Sequence, residues 1–410
     1  MDLKGSEIVR ILPRRNDLTN QDWITDKTRY SFDGLKNQRF SYPMVYTKTD
    51  SSFKISTWDS FYSSFNFNYL STLSSISSGR IELGGGLDLY TIYLSDLFGR
   101  SLSSLSTSTS VNLNDFRSSY LSSNLSVIEQ SNLILISGLN LPCSFPLLNV
   151  RINQKVNSKH PSKVIYFGLS HKCSYEVVHL GLSLPSNLSF LRGKNLSSFL
   201  CNSSMNVELF ASSNFLTSSI DQLSRFHKIH SNVLLSDTTS IGLSELGFDR
   251  VTQDVTNSFY YGLNTSNTIF MPKSSFCVFH STHSNISLSR IQSYDSLSTV
   301  WYLPSFSPFE SELPYMNLLG LVQWTRKCSS SFGDSSTYED VLRRLISSIS
   351  NRVSFTVSLD SFFGKVPGIM ISGLPTMSHI SSFKESMIYS PSYSTASVVP
   401  FVSFSQVNTL

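Results

Sequence analysis

Three sets of residues have the types and spacing that chemistry would need. Gly84-Gly85-Gly86 follows the strand-like Arg80-Ile81-Glu82-Leu83 and precedes a helical pattern. A glycine turn in that position can bring backbone amides and a helix N-terminus to a phosphate. The run has neither GxGxxG spacing nor a GK[ST] ending, so a tight strand-to-helix turn is the plainer reading. His227-x-x-His230 and His280-x-x-His283 offer imidazole pairs for a metal ion. Ligation from a helix in the HExxH manner needs i,i+4 spacing with a carboxylate in between, and both pairs lack it, so polar loop histidines are expected. The five cysteines (Cys143, Cys173, Cys201, Cys277, Cys328) are odd in number, scattered and without a CxxC pair. That pattern argues against a disulfide framework and against a cysteine-only zinc or iron–sulfur site. There is no G-x-S-x-G elbow, and 85 serines make any Ser/His/Asp combination uninformative.

The chain that must position these residues has 410 residues, a net charge of +4, 15% charged and 40% hydrophobic residues. At about 150 residues per domain, this is enough for two or three domains with large cores. Serine is abundant while alanine occurs only at Ala211 and Ala396. No fold demands that ratio, since cores and helices readily use Ala. A coding strand biased toward T explains it and also raises Phe (29) and Tyr (18), as compact organelle genomes can do. The 12% aromatic content argues against a disordered, mucin-like stalk. The charge is too mild to imply nucleic acid, and no apolar run reaches the roughly 18 residues of a membrane span. The start, Met1-Asp2-Leu3-Lys4-Gly5, is neither a signal peptide nor an arginine-rich presequence. Six Asn-x-Ser/Thr sites (Asn124, Asn187, Asn195, Asn202, Asn264, Asn285) are about what this Asn, Ser and Thr content produces by chance.

Helix-period and strand-period stretches alternate along the chain. Ser56-Thr57 offers a cap for a helix with Trp58, Phe61, Tyr62, Phe65, Tyr69, Leu73 and Ile76 on one face. Tyr90, Tyr93, Leu94, Leu97 and Phe98 mark a second helix, and Ser101–Ser110 is expected to be a loop. Asn132–Ser137 and Lys163–Gly168 are compact apolar strands running into Gly, as parallel strands do before a helix. Val207–Phe210, Ser258–Tyr261 and Ser275–Phe279 look similar, and Ser336-Thr337-Tyr338-Glu339 is a capping box for a helix through Val341, Leu342, Leu345 and Ile349. Strands alternating with helices predict an α/β protein with largely parallel sheets. The tail after Arg352 alternates more like β structure.

The N-terminal stretch carries a resemblance. Arg10-Ile11-Leu12-Pro13-Arg14, Trp23-Ile24-Thr25-Asp26-Lys27-Thr28-Arg29-Tyr30, Phe32-Asp33-Gly34-Leu35-Lys36, Gln38-Arg39 and Pro43-Met44 closely resemble the large iron–sulfur subunit of respiratory complex I, in the part related to molybdopterin oxidoreductases. Thinner colinear matches follow at Lys54–Trp58, Val111-Asn112-x-Asn114, Arg117-Ser118-x-Tyr120, Asn149-x-Arg151-Ile152, Lys163–Gly168, Tyr175 and His179-Leu180-Gly181. Leu303-Pro304, Glu310, Glu312, Tyr315, Asn317, Gly320 and Gln323 fit a late segment of the family in register. The resemblance covers about residues 5–345 and does not reach the tail.

What the resemblance implies is specific. In the family a ferredoxin-like region precedes this part and holds the clusters through Cys and His; here no Cys precedes Cys143. The expectation is the C-terminal fragment of a split subunit, with no cofactor of its own and the iron–sulfur clusters on a partner fragment. Leu313-Pro314 and Leu318-Leu319 replace small and acidic residues of the late segment, which argues against a polar site there. The fold expected is α/β, molybdopterin-oxidoreductase-like, with doubly wound, mostly parallel sheets. Residues 1–45 would dock the partner half, 46–160 with 255–345 would form one domain, 161–254 an inserted α/β unit, and 346–410 a tail. The chain would be a structural subunit on the matrix side of the mitochondrial inner membrane, made inside the organelle and hetero-oligomeric with other complex I subunits. The competing class is a free-standing oxidoreductase that uses the Gly84–Gly86 turn for a pterin cofactor's phosphate.

The candidate docking residues are Arg10, Arg14, Trp23, Asp26, Lys27, Arg29, Asp33, Gly34, Lys36 and Arg39, a concentration of charge in a charge-poor chain. They read either as a solvated helix face with i,i+3 and i,i+4 pairs or as a network that holds the partner, with Trp23 as an anchor. Gly5–Pro13 reads as a lone β segment whose edge needs a partner's strands, which favours docking.

Overall fold

The computed structural model describes residues 1–68, 79–101, 105–109, 125–181, 206–212, 229–246, 259–265, 276–283, 299–349 and 370–372, with residues 6, 18, 38, 50, 51, 170, 236, 237 and 320 excepted. The chain opens with an antiparallel pair, β1 (Asp2–Lys4) and β2 (Glu7–Arg10), joined through Gly5 at φ +65°. The segment expected to be a lone strand thus pairs within its own chain. A short helix α1 (Asp26–Arg29) follows, its first turn closed by the Thr25 hydroxyl accepting from the Thr28 amide. Asp33–Lys36 is a single 3-10 turn.

Seven strands form the first sheet: β3 (Met44–Thr47), β4 (Phe53–Ile55), β5 (Gly79–Leu83), β6 (Leu105–Thr109), β12 (Phe259–Leu263), β13 (Phe276–Ser281) and β14 (Thr299–Pro304). Their order is β4-β3-β14-β13-β12-β5-β6, parallel from β14 to β6, with β3 and β4 added antiparallel. The chain winds from β5 toward β6 and later from β12 through β13 to β14, so the direction reverses between β5 and β12. That is doubly wound topology. The Ser101–Ser110 stretch expected to be a loop contains β6: its Leu-Ser-Thr-Ser-Thr run pairs in register with β5.

Between β6 and β12 in the sequence lies a second sheet. It contains β7 (Leu133–Ser137), β8 (Lys163–Phe167), β9 (Val178–Gly181), β10 (Val207–Ser212) and β11 (Ile229–Leu234), all parallel, in the order β11-β10-β7-β8-β9. An inserted unit was expected from 161. Because β7 pairs with β8 and β10, residues 133–160 go with this sheet and not with 46–160. A third sheet joins β15 (Pro314–Met316), β16 (Leu321–Trp324) and β17 (Met370–Ser372).

Helices cover the sheets. α2 (Trp58–Asn68) buries Phe61 and Phe65 against Trp301 and Phe259, with ring centroids at 5.3 and 5.8 Å. Each such side chain contributes about 1.5–3 kcal/mol of burial. Tyr69, Leu73 and Ile76, expected on the same helix, lie outside the described residues. α3 (Leu89–Ser101) buries all five predicted positions except Leu97, which is half-buried. α4 (Leu141–Ser144) and α5 (Pro146–Val156) follow β7, and α6 (Thr238–Leu246) follows β11. α6 packs on α3, where a Cβ on Gly242 would lie 2.8 Å from Leu89 and 2.9 Å from Ile92. Close helix approach there fuses the cores of the two large sheets into one cluster. α7 (Tyr338–Ile349) packs on α3 through Val341, Leu342 and Leu345. Its cap is one residue later than expected: Thr337 Oγ1 accepts from the Asp340 amide at 3.0 Å and donates to the Asp340 carboxylate at 2.8 Å.

Candidate functional site

Open α/β sheets bind ligands outside the carboxyl ends of their strands, where the winding direction reverses. In the first sheet that place is the β5–β12 boundary, which contains Gly84-Gly85-Gly86. Gly84 donates its amide to the Leu263 carbonyl at 2.8 Å, and a Cβ on it would sit 1.8 Å from the Asn264 carbonyl oxygen. Asn264, at φ +46°, donates its side-chain amide to the Gly85 carbonyl at 2.6 Å. The turn is therefore glycine because another backbone crosses against it.

The helix N-terminus behind the turn is already capped by a side chain of its own. Asp88 is fully buried, and one of its carboxylate oxygens accepts from the amides of Tyr90 and Thr91, both at 2.9 Å. The other accepts from the Thr91 hydroxyl. Burial raises the Asp88 pKa, and its hydrogen bonds to Thr91 oppose that rise. A phosphate approaching α3 would meet this carboxylate in place of free amides. Among the described residues this crevice contains a cavity of about 20 Å³, lined by Gly86, Asn264, Ser305, Phe306, Tyr315 and Tyr338 among others. It is large enough for one water molecule. That cavity is too small for a phosphate group, and the backbone crossing at Asn264 accounts for glycine at position 84.

A buried clamp holds the segment that closes it. Arg39 and Glu310 form a bidentate pair at 2.5 and 2.8 Å, with both side chains more than nine-tenths buried. Arg39 also donates to the Ser305 carbonyl at 3.3 Å, and Glu310 accepts from the Ser307 amide at 2.8 Å. Phe309, Leu313 and Tyr315 then pack with Ile8 and Ile11 of the N-terminal segment, and Ile24, Phe32 and Leu35 flank them. The side chains of Arg39 and Glu310 thus tie residues 1–40 over the closed crevice, and this clamp was missed by sequence reasoning.

The expected docking residues divide accordingly. Arg39 is committed inside the chain, which corrects its assignment as a partner contact. Arg10 pairs with Asp2 across the hairpin at 2.5 Å, and Gly34 accepts from His283 Nε2 at 2.7 Å through its carbonyl. Arg10, Arg14, Trp23, Asp26, Lys27, Asp33 and Gly34 are exposed, Arg29 is half-buried, and Lys36 ends the 3-10 turn. Large apolar side chains stand in solvent beside them: Met1, Leu3, Val9, Leu12, Trp23 (55% exposed) and Tyr30.

His280 and His283 do not converge on a metal site. His280 is fully buried on β13, with Nδ1 sharing a hydrogen bond with the Tyr261 hydroxyl at 3.0 Å and its ring 4.7 Å from Tyr338. A loop position had been expected; the strand's buried register overrides it. His283 points away, to Gly34. His230 is on β11, and His227 lies outside the described residues. No group of three or more His, Cys, Asp or Glu that could hold a metal occurs among the described residues. No described helix is long and apolar enough to cross a membrane.

The fold is α/β with doubly wound, largely parallel sheets, and residues 39–205 match the family described as molybdopterin oxidoreductase. Residues 1–33 match a second family, described as NADH-ubiquinone oxidoreductase NDSU1/NuoG-like, 4Fe-4S domain. More particularly, the chain is similar to the large subunit of NADH-ubiquinone oxidoreductase. The 75 kDa subunit of Reclinomonas americana is 28% identical over 88% of this chain and 56% of its own length. The 75 kDa subunit of Acanthamoeba castellanii is 28% identical over 84% and 53%, and the mitochondrial 78 kDa subunit of Candida albicans 26% over 84% and 50%. The chain spans about half the length of these curated relatives. A chain of the formyltransferase/hydrolase complex of Methylorubrum extorquens, solved with methylofuran, has a TM-score of 0.52 at 10% identity, over 75% of this chain and 99% of its own. That likeness is one of fold.

Proposed function

We propose that the chain is a structural subunit of the peripheral, matrix-side arm of mitochondrial NADH:ubiquinone oxidoreductase. In this reading residues 1–33 are the terminal piece of a 4Fe–4S domain whose cluster-binding residues stand on another stretch of polypeptide. The hairpin and the Trp23 loop hold that stretch, and electrons pass through its clusters, with no catalytic group on this chain. One conjunction carries the reading: the piece that matches a 4Fe–4S domain contains no cysteine and exposes six large apolar side chains. Apolar surface of that density marks a protein contact. The names of the relatives support a mitochondrial place, and the scarcity of alanine supports an organelle gene.

Native electrophoresis with mass spectrometry tests the assignment. The chain is expected in a megadalton-scale assembly together with a cluster-bearing polypeptide. Trp23→Ala combined with Arg29→Ala is expected to release it, and full co-purification of that variant would show that this segment is not the dock. Metal analysis is the second arm: stoichiometric molybdenum or tungsten in the purified chain would replace the scaffold reading by a pterin enzyme.

A further inference from the structure

The N-terminal hairpin is a sheet with an unused edge. Among the described residues β1 pairs only with β2, and Asp2, Leu3 and Lys4 are all exposed. The Cα partners are Leu3 with Ile8 and Lys4 with Glu7. Two residues connect Lys4 to Glu7, so this closing pair exchanges the hydrogen bonds that hold the turn. Pairs along an antiparallel ladder alternate between bonded and non-bonded. At the next pair, Leu3 and Ile8, the amide and carbonyl groups therefore point away from the partner strand. Ile8 is buried and packs with Phe309, Leu313 and Tyr315. Leu3 shares that face, because residues directly opposite project to the same side, yet it is 45% exposed. The packed face stops one strand short.

An edge amide and carbonyl beside an apolar side chain are what an added strand answers. Main-chain bonds then supply affinity, and alternate side chains supply selectivity. A short edge carrying a lysine can also stay in solvent, and two observations weigh against that here. The hairpin has two strands, where independent stability takes three or more or a packed face. Residues 1–33 match a 4Fe–4S domain and contain no cysteine, so the proposed function brings cluster-bearing polypeptide to this same segment. We propose that an extended segment of that polypeptide adds to the open edge of β1 as a third strand. It bonds through the Leu3 amide and carbonyl, with an apolar side chain opposite Leu3 and polar ones opposite Asp2 and Lys4. The proposal rests on the complex I reading and deepens it.

The test is photo-cross-linking in the native assembly, with benzoylphenylalanine in place of Asp2, Lys4 or the exposed Tyr30, followed by peptide mapping. The probes at positions 2 and 4 are expected to capture residues about two apart in one extended segment of the cluster-bearing chain, as one face of a strand requires. Capture of separate segments or of another chain overturns the third strand. So does no capture at 2 and 4 while the probe at 30 still captures the cluster-bearing chain, and that outcome leaves the docking reading standing. An unsubstituted chain that runs without any cluster-bearing polypeptide overturns both. The second arm alters the backbone. Leu3→Pro removes the outward amide and no hydrogen bond of the hairpin. It is expected to release the partner at least about tenfold more readily than Leu3→Ala, with hydrogen exchange in β7 and β8 unchanged as the check that the core is folded. Equal release by the two variants overturns the proposal.

Discussion

At the scale of single residues, a buried ion pair and then a buried histidine govern how the crevice region responds to change. Arg39 and Glu310 form a bidentate pair with both side chains buried, so removing one partner leaves an uncompensated buried charge. Arg39→Ala is expected to cost about 3–5 kcal/mol in urea denaturation, and Arg39→Met with Glu310→Leu to recover most of that loss. A loss under about 1 kcal/mol for the single variant would mean the pair is solvated. His280 is the second group. Burial lowers its pKa from 6.5 to about 3, so the folded state stays neutral where the unfolded chain takes up a proton. Stability is therefore unaffected above the unfolded value and falls as the pH drops from about 6.5 toward 3, by about 1.4 kcal/mol per pH unit. His280→Gln should flatten that slope between pH 6 and 4 relative to the parent, and parallel slopes would refute the assignment. Neither feature was legible in the sequence. Arg39 and Glu310 are 271 residues apart and meet only through the fold, and an HxxH spacing says nothing about which histidine faces a core.

Elements were legible where local pattern and tertiary demand agree. β7 and β8 are continuous apolar runs ending in glycine, as strands buried on both faces must be. The face of α3 could be read from its tyrosines and leucines. β6 was hidden because Ser and Thr have replaced the residues that make a strand conspicuous, and only pairing with β5 reveals it. The register of the α7 cap was ambiguous between Ser336 and Thr337 for the same reason: the composition offers a hydroxyl at both. The Gly84 turn gives the element-scale prediction. Gly84→Ala puts a methyl group 1.8 Å from the Asn264 backbone oxygen, which no side-chain movement relieves. The variant is expected to lose more stability than any exposed substitution, on the order of several kcal/mol. Gly34 has nothing within 4 Å of its would-be Cβ, and Gly34→Ala should change stability by no more than about 0.5 kcal/mol. Comparable losses at the two positions, measured by thermal unfolding, would contradict the crossing of backbones at β5 and β12.

At the scale of the whole molecule, the N-terminal segment is packed at some residues and bare at others. Ile8, Ile11, Phe32 and Leu35 pack onto the closed crevice, Arg39 is clamped beneath it, and Arg151 holds the Asp17 loop from α5. Leu3, Val9, Leu12 and Trp23 remain in solvent. A two-stranded pair is marginally stable in water, and three or more strands or a packed face are needed for independent stability. The low charge of the chain points the same way, because a surface destined to be covered has less need of solvating groups. Mass action then links partner binding to local order: whatever binds the folded hairpin stabilises it in proportion to its concentration over its dissociation constant. Amides of residues 2–10 are accordingly expected to exchange rapidly with solvent deuterium in the isolated chain. In the native assembly they should be protected by at least about tenfold, which corresponds to about 1.4 kcal/mol of local stabilisation. Leu3→Lys with Val9→Lys should abolish that protection and leave exchange in β7 and β8 unchanged, since those strands belong to a core the hairpin does not touch. Equal exchange of residues 2–10 in the free and assembled states would show that the bare face stays bare, and the docking role would have to move elsewhere on the molecule.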